Sequence, residues 1–505
     1  MEEKKQNGCY YTSPLLANFL VQHIFNNYTL PSNLKILEPS CGDGIFVKAL
    51  LDIKYDTNNS VELTLIEKNG SELQKTLELL PSYKNSITFQ SYKIDFLHFQ
   101  KRNLNKYSLI IGNPPYIKKG LLSKQQVEIC NKIHQDIGLS SNIIKNIWTS
   151  FLLSSIINLD ENGILCLILP AELLQVKYTK ELREYLLDNF IRIEIFAFKE
   201  LVFENVDQDV IALIGAKERA SNGKDGISFY QVDKLEDLKI PQYVEKNNNV
   251  HRKTLDKWTN YLLNDDELNF IEDIRSRLKT IDNYCDKINV GIVTAANSYF
   301  IVDDNTINEY QLLNYSNNIL SKASDIKNVL DVTNDVVKKL KKSNKKMNLV
   351  HFSDVDISKI NPVARTYVEY GESLGINKRY KCELRKNWYS VPSLWECDGF
   401  FIKRTHKFPR IVVNSARIHV TDSFYRINMK KEFNIKDLVF SFYNSLTLLL
   451  AELEGRYYGG GVLELTPNEF KKLSIPYYEH ISNKSFSTLE GMFTNERSIS
   501  DILNY

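Results

Sequence analysis

The 505-residue chain has no export or membrane signal. Its first residues, MEEKKQNGCYYTSP, mix charges and contain no apolar core of a leader peptide. Nowhere does it run through the roughly 18 uninterrupted apolar residues that span a bilayer. These absences argue against export and membrane insertion and point to a cytoplasmic protein. Disulfide and zinc frameworks are missing too. The seven cysteines are scattered, with no C-x-x-C pair and no His at zinc-ligand spacing. They read as small apolar filler in a reducing compartment, and no metal is expected.

Net charge is also almost absent, at +2, but the average hides a local imbalance. Between residues 361 and 430, basic residues including Lys378, Arg379, Arg385, Lys386, Lys403, Arg404 and Arg417 outnumber the acids by about 7. Trp388, Tyr389, Phe400, Phe401 and Tyr425 lie in the same stretch. Basic and aromatic residues interleaved in this way suit a polyanionic partner. The lysine run from Lys338 to Lys346 is read instead as a solvated helix face.

What the chain does have, with 43% hydrophobic residues, is enough apolar material for more than one globular core. Up to about residue 220, short apolar runs (LKILEPS, VELTLIE, SLIIGNP, GILCLILP, RIEIFAF, DVIALIGA) alternate with segments of helical periodicity such as SPLLANFLVQHIF and IWTSFLLSSIINL. This alternation predicts an α/β domain: a parallel sheet, covered on both faces, with its ligand at the carboxyl ends of the strands. Polar stretches at 221–226 and 246–252 follow, and the domain boundary is placed near 245, giving domains 1–245 and 246–505. The second half mixes short strands and helices without repeats and reads as α+β.

The first strand ends in Glu38-Pro39-Ser40-Cys41-Gly42-Asp43-Gly44. Gly42 and Gly44 allow a tight turn that approaches a ligand closely just before a helix. A phosphate-binding loop would carry Lys, whereas this one carries Glu38 and Asp43, which suit a cation. S-adenosylmethionine, with its sulfonium and ammonium groups, fits that description. Glu67 at the end of the second strand is placed to accept from a ribose diol, and Asp95 from an adenine amino group.

The apolar strand SLIIGNP runs into Asn113-Pro114-Pro115-Tyr116. An exocyclic amine on a conjugated ring is a poor nucleophile, because its lone pair is delocalised. Two acceptors on its N–H bonds, the Asn113 side-chain oxygen and the Pro114 carbonyl, would draw the nitrogen toward tetrahedral geometry. The prolines fix the direction of that carbonyl, and Tyr116 offers a face for stacking worth about 1–3 kcal/mol per base.

These motifs, in this order, resemble those of the DNA adenine-N6 methyltransferases of restriction–modification systems, in the group where the cofactor motifs precede the catalytic one and a recognition domain follows. The likeness covers most of the first 220 residues, beginning at GCYYTSPLLANFL and running through ILEPSCGDGIF, LIEKNG, IDFL and IIGNPPYI. It implies a Rossmann-like S-adenosylmethionine-dependent methyltransferase domain followed by a DNA target recognition domain. It places Thr12 near the methionine carboxylate and makes Phe203 a second stacking face. INVGIVTAANSYFIV, ELRKNWYSVPSL and RYYGGGVLELTPNEFKKLSIP are similar to recurring pieces of the recognition domain. Double-stranded DNA is the implied substrate, with the target base flipped out. A monomer that carries its own recognition domain is expected, with a cognate restriction endonuclease acting on the same site. Arg385, Lys386, Lys403, Arg404 and Arg417 are the candidate DNA contacts. Cytosine-N4 methylation uses the same pocket chemistry. Protein-glutamine methyltransferases share only the first half, and a binding subunit without catalysis has no need to keep the acids and Asn113.

Overall fold

In a computed structural model, residues 12–53, 55, 60–80, 87–100, 105–198, 209–221, 225–239, 250–251, 256–343, 345–353, 355–458 and 462–505 are described. The chain forms two compact units. One comprises residues 1–270 with 457–461, the other 271–456 with 462–505.

The first unit is built on a nine-stranded sheet. Its strands are β1 (Asn33–Glu38), β2 (Ser60–Glu67), β3 (Ile87–Lys93), β4 (Tyr107–Gly112), β5 (Leu159–Pro170), β6 (Arg192–Phe198), β7 (Val210–Ala216), β8 (Gly226–Val232) and β9 (Val250–His251). The spatial order is β3-β2-β1-β4-β5-β7-β6-β8-β9. Every residue of β4 and of β7 is buried, as expected of strands covered on both faces. At the edge, β3 is exposed along nearly its whole length. Helices Pro14–Asn27, Ile45–Leu51 and Gly70–Leu79 pack in one group, and Phe96–Gln100, Lys124–Asp136 and Trp148–Asn158 in another.

The all-parallel expectation needs correction. β1 to β5 are parallel, but β7 pairs antiparallel with both β5 and β6. Too few residues separate Phe198 from Val210 for a covered crossover, so β7 folds straight back on β6. Beyond residue 245, β9 still adds to β8, and Trp258 and Tyr261 are buried in the core of this unit. The first unit therefore extends to residue 270.

The order β2-β1-β4-β5 decides where a ligand goes. The chain moves outward from β1 to β3 and then returns to β4 on the other side of β1, which opens a crevice between the carboxyl ends of β1 and β4. Glu38 ends β1, and Asn113 follows β4.

The second unit holds smaller sheets, among them an antiparallel one formed by Cys285–Val290, Phe424–Met429, Gly399–Ile402 and Ile411–Val413. The apolar stretch IKDLVFSFYNSLTLLLAELEG forms two helices, Ile435–Phe442 and Ser445–Glu454, because Asn444 caps the second through Thr447 N. Helix Asn334–Lys342 carries part of the lysine run, and Lys338, Lys341 and Lys345 pair with Asp335, Asp304 and Asp325. Among the described residues no helix is long and apolar enough to cross a membrane.

Among the described glycines of this unit, Gly291 has the closest backbone neighbours. A Cβ there would lie 2.0 Å from Thr421 O and 2.7 Å from Val420 O. Backbone cannot yield as a side chain does, so Gly291→Ala is expected to destabilise the second unit by at least about 1–3 kcal/mol. Differential scanning calorimetry checks this; an unchanged melting profile would contradict the packing described.

Candidate active site

A cavity of about 360 Å³ opens at the β1/β4 crevice, large enough for a nucleoside-sized ligand. Its walls include Thr12, Glu38, Pro39, Cys41, Gly42, Asp43, Glu67, Asp95, Asn113 and Pro115. Residues more than a hundred positions apart, singled out on different strand ends, thus line one space.

Each is held by local structure. Cys41 N donates to Ile66 O, and Gly44 N turns back onto Cys41 O at 2.8 Å. Gly42 takes φ 51°, and a Cβ there would meet nothing within 4 Å, so the loop has open space beside it. Its N–H donates to Glu67 Oε2 at 3.0 Å, and its carbonyl accepts from Thr76 Oγ1 at 2.8 Å. Glu67 Oε1 also accepts from Asn69 N at 2.7 Å, which fixes the carboxylate at the end of β2. Asp95 caps the next helix through Leu97 N and accepts from Gln126 Nε2 at 3.3 Å. Asp95 is thus a helix cap that also lines the cavity.

Gly44 differs from the other predicted cofactor residues, for it is not part of the wall. It starts helix Ile45–Leu51 at φ 83°, and a Cβ on it would meet Leu79 Cδ1 at 2.8 Å and Thr76 Oγ1 at 2.9 Å. Its glycine is needed for the turn and for packing against helix Gly70–Leu79.

The charge of the cavity is strongly one-sided. Glu38 is 1% exposed, and its Oε2 has no hydrogen-bond partner among the described residues. Burial first, then the neighbouring Asp43 and Glu67, hold its carboxyl well above the usual carboxylate range. Asp43 is raised as well, by burial and by Glu72. A ligand bringing positive charge and N–H or O–H donors would relieve this strain, so the donor set fits S-adenosylmethionine.

Asn113 is held between Thr12 and Ser40. Its Nδ2 donates to Thr12 Oγ1 at 3.4 Å, and its backbone carbonyl accepts from Ser40 Oγ at 3.0 Å. The side-chain nitrogen faces Thr12, which leaves the side-chain oxygen as the amide's acceptor. Pro114 is buried, and Pro115 lines the cavity. Tyr116 does not line it; the ring is 6% exposed within the apolar core, and its hydroxyl donates to Ile168 O at 3.0 Å. Phe203 lies outside the described residues.

Other wall residues carried no recognisable signal in the sequence. Gln126 is the inner partner of a capping box with Ser123, and its amide donates to Asp95. The S-x-x-Q pattern announces a helix start, which hides the second role. Ile117, Ile147 and Phe151 supply apolar wall.

The candidate DNA contacts all belong to the second unit. Arg385 Nη2 donates to Thr294 O at 2.7 Å and Val293 O at 3.3 Å, and Nη1 to Trp388 O at 3.3 Å. Lys403 and Arg404 both face Glu464, at 3.6 and 2.5 Å, and Arg417 faces Asp398 at 2.6 Å. Lys386 is exposed.

Residues 34–203 match the family described as Eco57I restriction-modification methylase, and residues 255–505 match the Type II methyltransferase M.Eco57I, C-terminal domain. The chain is 26% identical over 495 residues to the Type II methyltransferase M.AccI of Acinetobacter calcoaceticus, covering 94% of this chain and 86% of that protein. It is 27% identical over 339 residues to the Type II methyltransferase M.HindII of Haemophilus influenzae, covering 62% and 59%. Among solved structures, the Type IIL restriction-modification enzyme MmeI in complex with DNA aligns with TM-score 0.59 at 12% identity, over 99% of this chain and 71% of that one. The DrdV–DNA complex aligns with TM-score 0.55 at 12% identity, over 98% and 58%. These two likenesses concern the fold.

Proposed function

Because the chain belongs to the restriction–modification DNA methyltransferases, with a methylase half and an M.Eco57I-type C-terminal domain, we propose that it methylates the N6 amine of an adenine flipped out of double-stranded DNA. The observation that carries this reading is the position of Asn113, bound to Thr12 and Ser40 at the wall of a cavity dominated by carboxylates. A cofactor site and an amine-binding amide occupy one space there.

S-adenosylmethionine is the cofactor and supplies an electrophilic methyl group on a sulfonium. Glu38, Asp43 and Glu67 would hold it through its positive charge and its donors, and Thr12 would bind its carboxylate. Gly42 leaves the loop open for its approach. Asn113 Oδ1 and Pro114 O accept from the two N–H bonds of the target amine and orient its lone pair. No strong general base is required, because attack on a sulfonium leaves an acidic ammonium that loses its proton to water. Tyr116, buried in the apolar core with its hydroxyl on Ile168 O, braces the turn that carries Asn113 and Pro114, and to stack on the base its ring would have to leave that position. Pairing must be broken first, at a cost of a few kcal/mol, so a separate unit has to hold the duplex. The basic stretch of the second unit fits that task. The enzyme acts as a monomer and marks host sites against an endonuclease that cuts the same sequence.

Incubation of the protein with duplex DNA and methyl-labelled cofactor, followed by digestion to nucleosides, tests the target atom. The label is expected in N6-methyldeoxyadenosine. Label in N4-methyldeoxycytidine would keep the pocket chemistry and overturn the choice of base.

A further inference from the structure

The second unit exposes large apolar side chains that its own core does not use. Tyr380 is 75% exposed and Leu384 is 70% exposed. They start and follow the short helix Tyr380–Glu383, and their i, i+4 spacing puts them on one face. Lys378, Arg379, Lys381 and Lys386 around them are exposed too, and Glu383 is the single acid between 378 and 386.

This projection is fixed from beneath. Cys382 is fully buried. Arg379 Nη1 donates to Ala295 O at 3.1 Å, and Arg385 binds the carbonyls of Val293 and Thr294. The Arg385 guanidinium also lies 5.4 Å from the centre of the Phe300 ring. Ala295 has φ 69°, a conformation that a residue with a Cβ keeps only when its surroundings impose it. Two arginines thus grip three successive carbonyls of one strained loop, and so mount the 379–386 segment on it.

An apolar tip ringed by cations matches a duplex groove, which offers phosphates at its rim and stacked base edges within. We propose that Tyr380 and Leu384 enter a groove of the target duplex and contact its bases, with Lys381 and Lys386 on the flanking phosphates. Arg379 and Arg385 are positioning residues of this contact. The inference rests on duplex DNA being the substrate.

The test uses the full chain and a duplex that the wild-type protein methylates, compared with a scrambled duplex, by fluorescence anisotropy over a range of salt. Tyr380→Ala/Leu384→Ala is expected to lose about 10–100-fold of the discrimination between the two duplexes, with the salt slope intact. Lys381→Ala/Lys386→Ala is expected to lower the salt slope by about 1.8, since each phosphate contact contributes about 0.9. Arg385→Gln separates mounting from contact: lost discrimination at an unchanged slope supports mounting, and a slope reduced by about 0.9 makes Arg385 a phosphate contact. All four side chains at the tip are exposed, so thermal melting serves as the control for folding. Wild-type discrimination and slope in both double variants would overturn the inference, as would a defect confined to binding of anionic lipid vesicles. A wild-type protein that methylates no DNA would instead overturn the substrate reading.

Discussion

Asn113→Ala is expected to yield a folded protein that binds cofactor and duplex DNA but transfers methyl groups at least about 10²–10³-fold more slowly, the usual cost of losing one preorganised polar group aimed at the reacting atoms. The substitution removes the side-chain acceptor and leaves the Ser40 contact, because Ser40 donates to the backbone carbonyl of residue 113. Thr12 loses a partner at 3.4 Å, a long hydrogen bond whose removal costs the fold little. The defect should therefore fall in kcat, with the cofactor dissociation constant nearly unchanged. Single-turnover methylation and calorimetric cofactor titration separate the two. Full turnover by the variant would show that Asn113 does not orient the amine.

Glu38→Gln is expected to act in opposite directions on cofactor binding and on stability. In the folded protein, burial and the neighbouring acids raise the Glu38 carboxyl, so the native state holds its proton to higher pH than the unfolded chain does. The sign follows from linkage: stability of the cofactor-free protein falls as pH rises from the ordinary carboxylate range to the raised value. Glutamine cannot ionise and escapes this loss. The cofactor-free variant should melt higher at neutral pH, by about 2–4 °C for each kcal/mol recovered. Cofactor affinity should fall, because the cationic ligand loses its buried counter-charge. In the wild type, binding favours the ionised carboxyl, so it releases a proton and strengthens as pH rises. Calorimetry in two buffers of different ionisation enthalpy measures that release. A variant with lower melting temperature and unchanged affinity would contradict the role given to Glu38.

The catalytic half was legible because its chemistry sits at strand ends. Glu38, Glu67 and Asn113 each close an apolar run, and the rules for parallel sheets bring such residues to one edge, where Asp95 joins them from the end of the exposed edge strand β3. What the sequence could not reveal was set by contacts distant along the chain. The antiparallel course of β7 depends on how the chain returns from Phe198. Nothing in the motif around Tyr116 announces that its hydroxyl reaches Ile168. The basic stretch shows the same limit more sharply. A count of charges gave Arg385, Lys403, Arg404 and Arg417 equal standing with Lys386, although Arg385 is committed to backbone carbonyls and the other three face acids. Tyr380 and Leu384 carry no signal in the sequence, because an apolar residue between basic ones looks like core until its exposure is known.

The most direct test of the central claim is to express the protein in a bacterium that lacks DNA methylation and sequence the genomic DNA by a single-molecule method that reports modified bases in context. The account predicts N6-methyladenine in one recurring motif, and its absence when Asn113 is replaced by Ala. Unmodified genomic DNA from cells that hold the folded, cofactor-binding protein would contradict it.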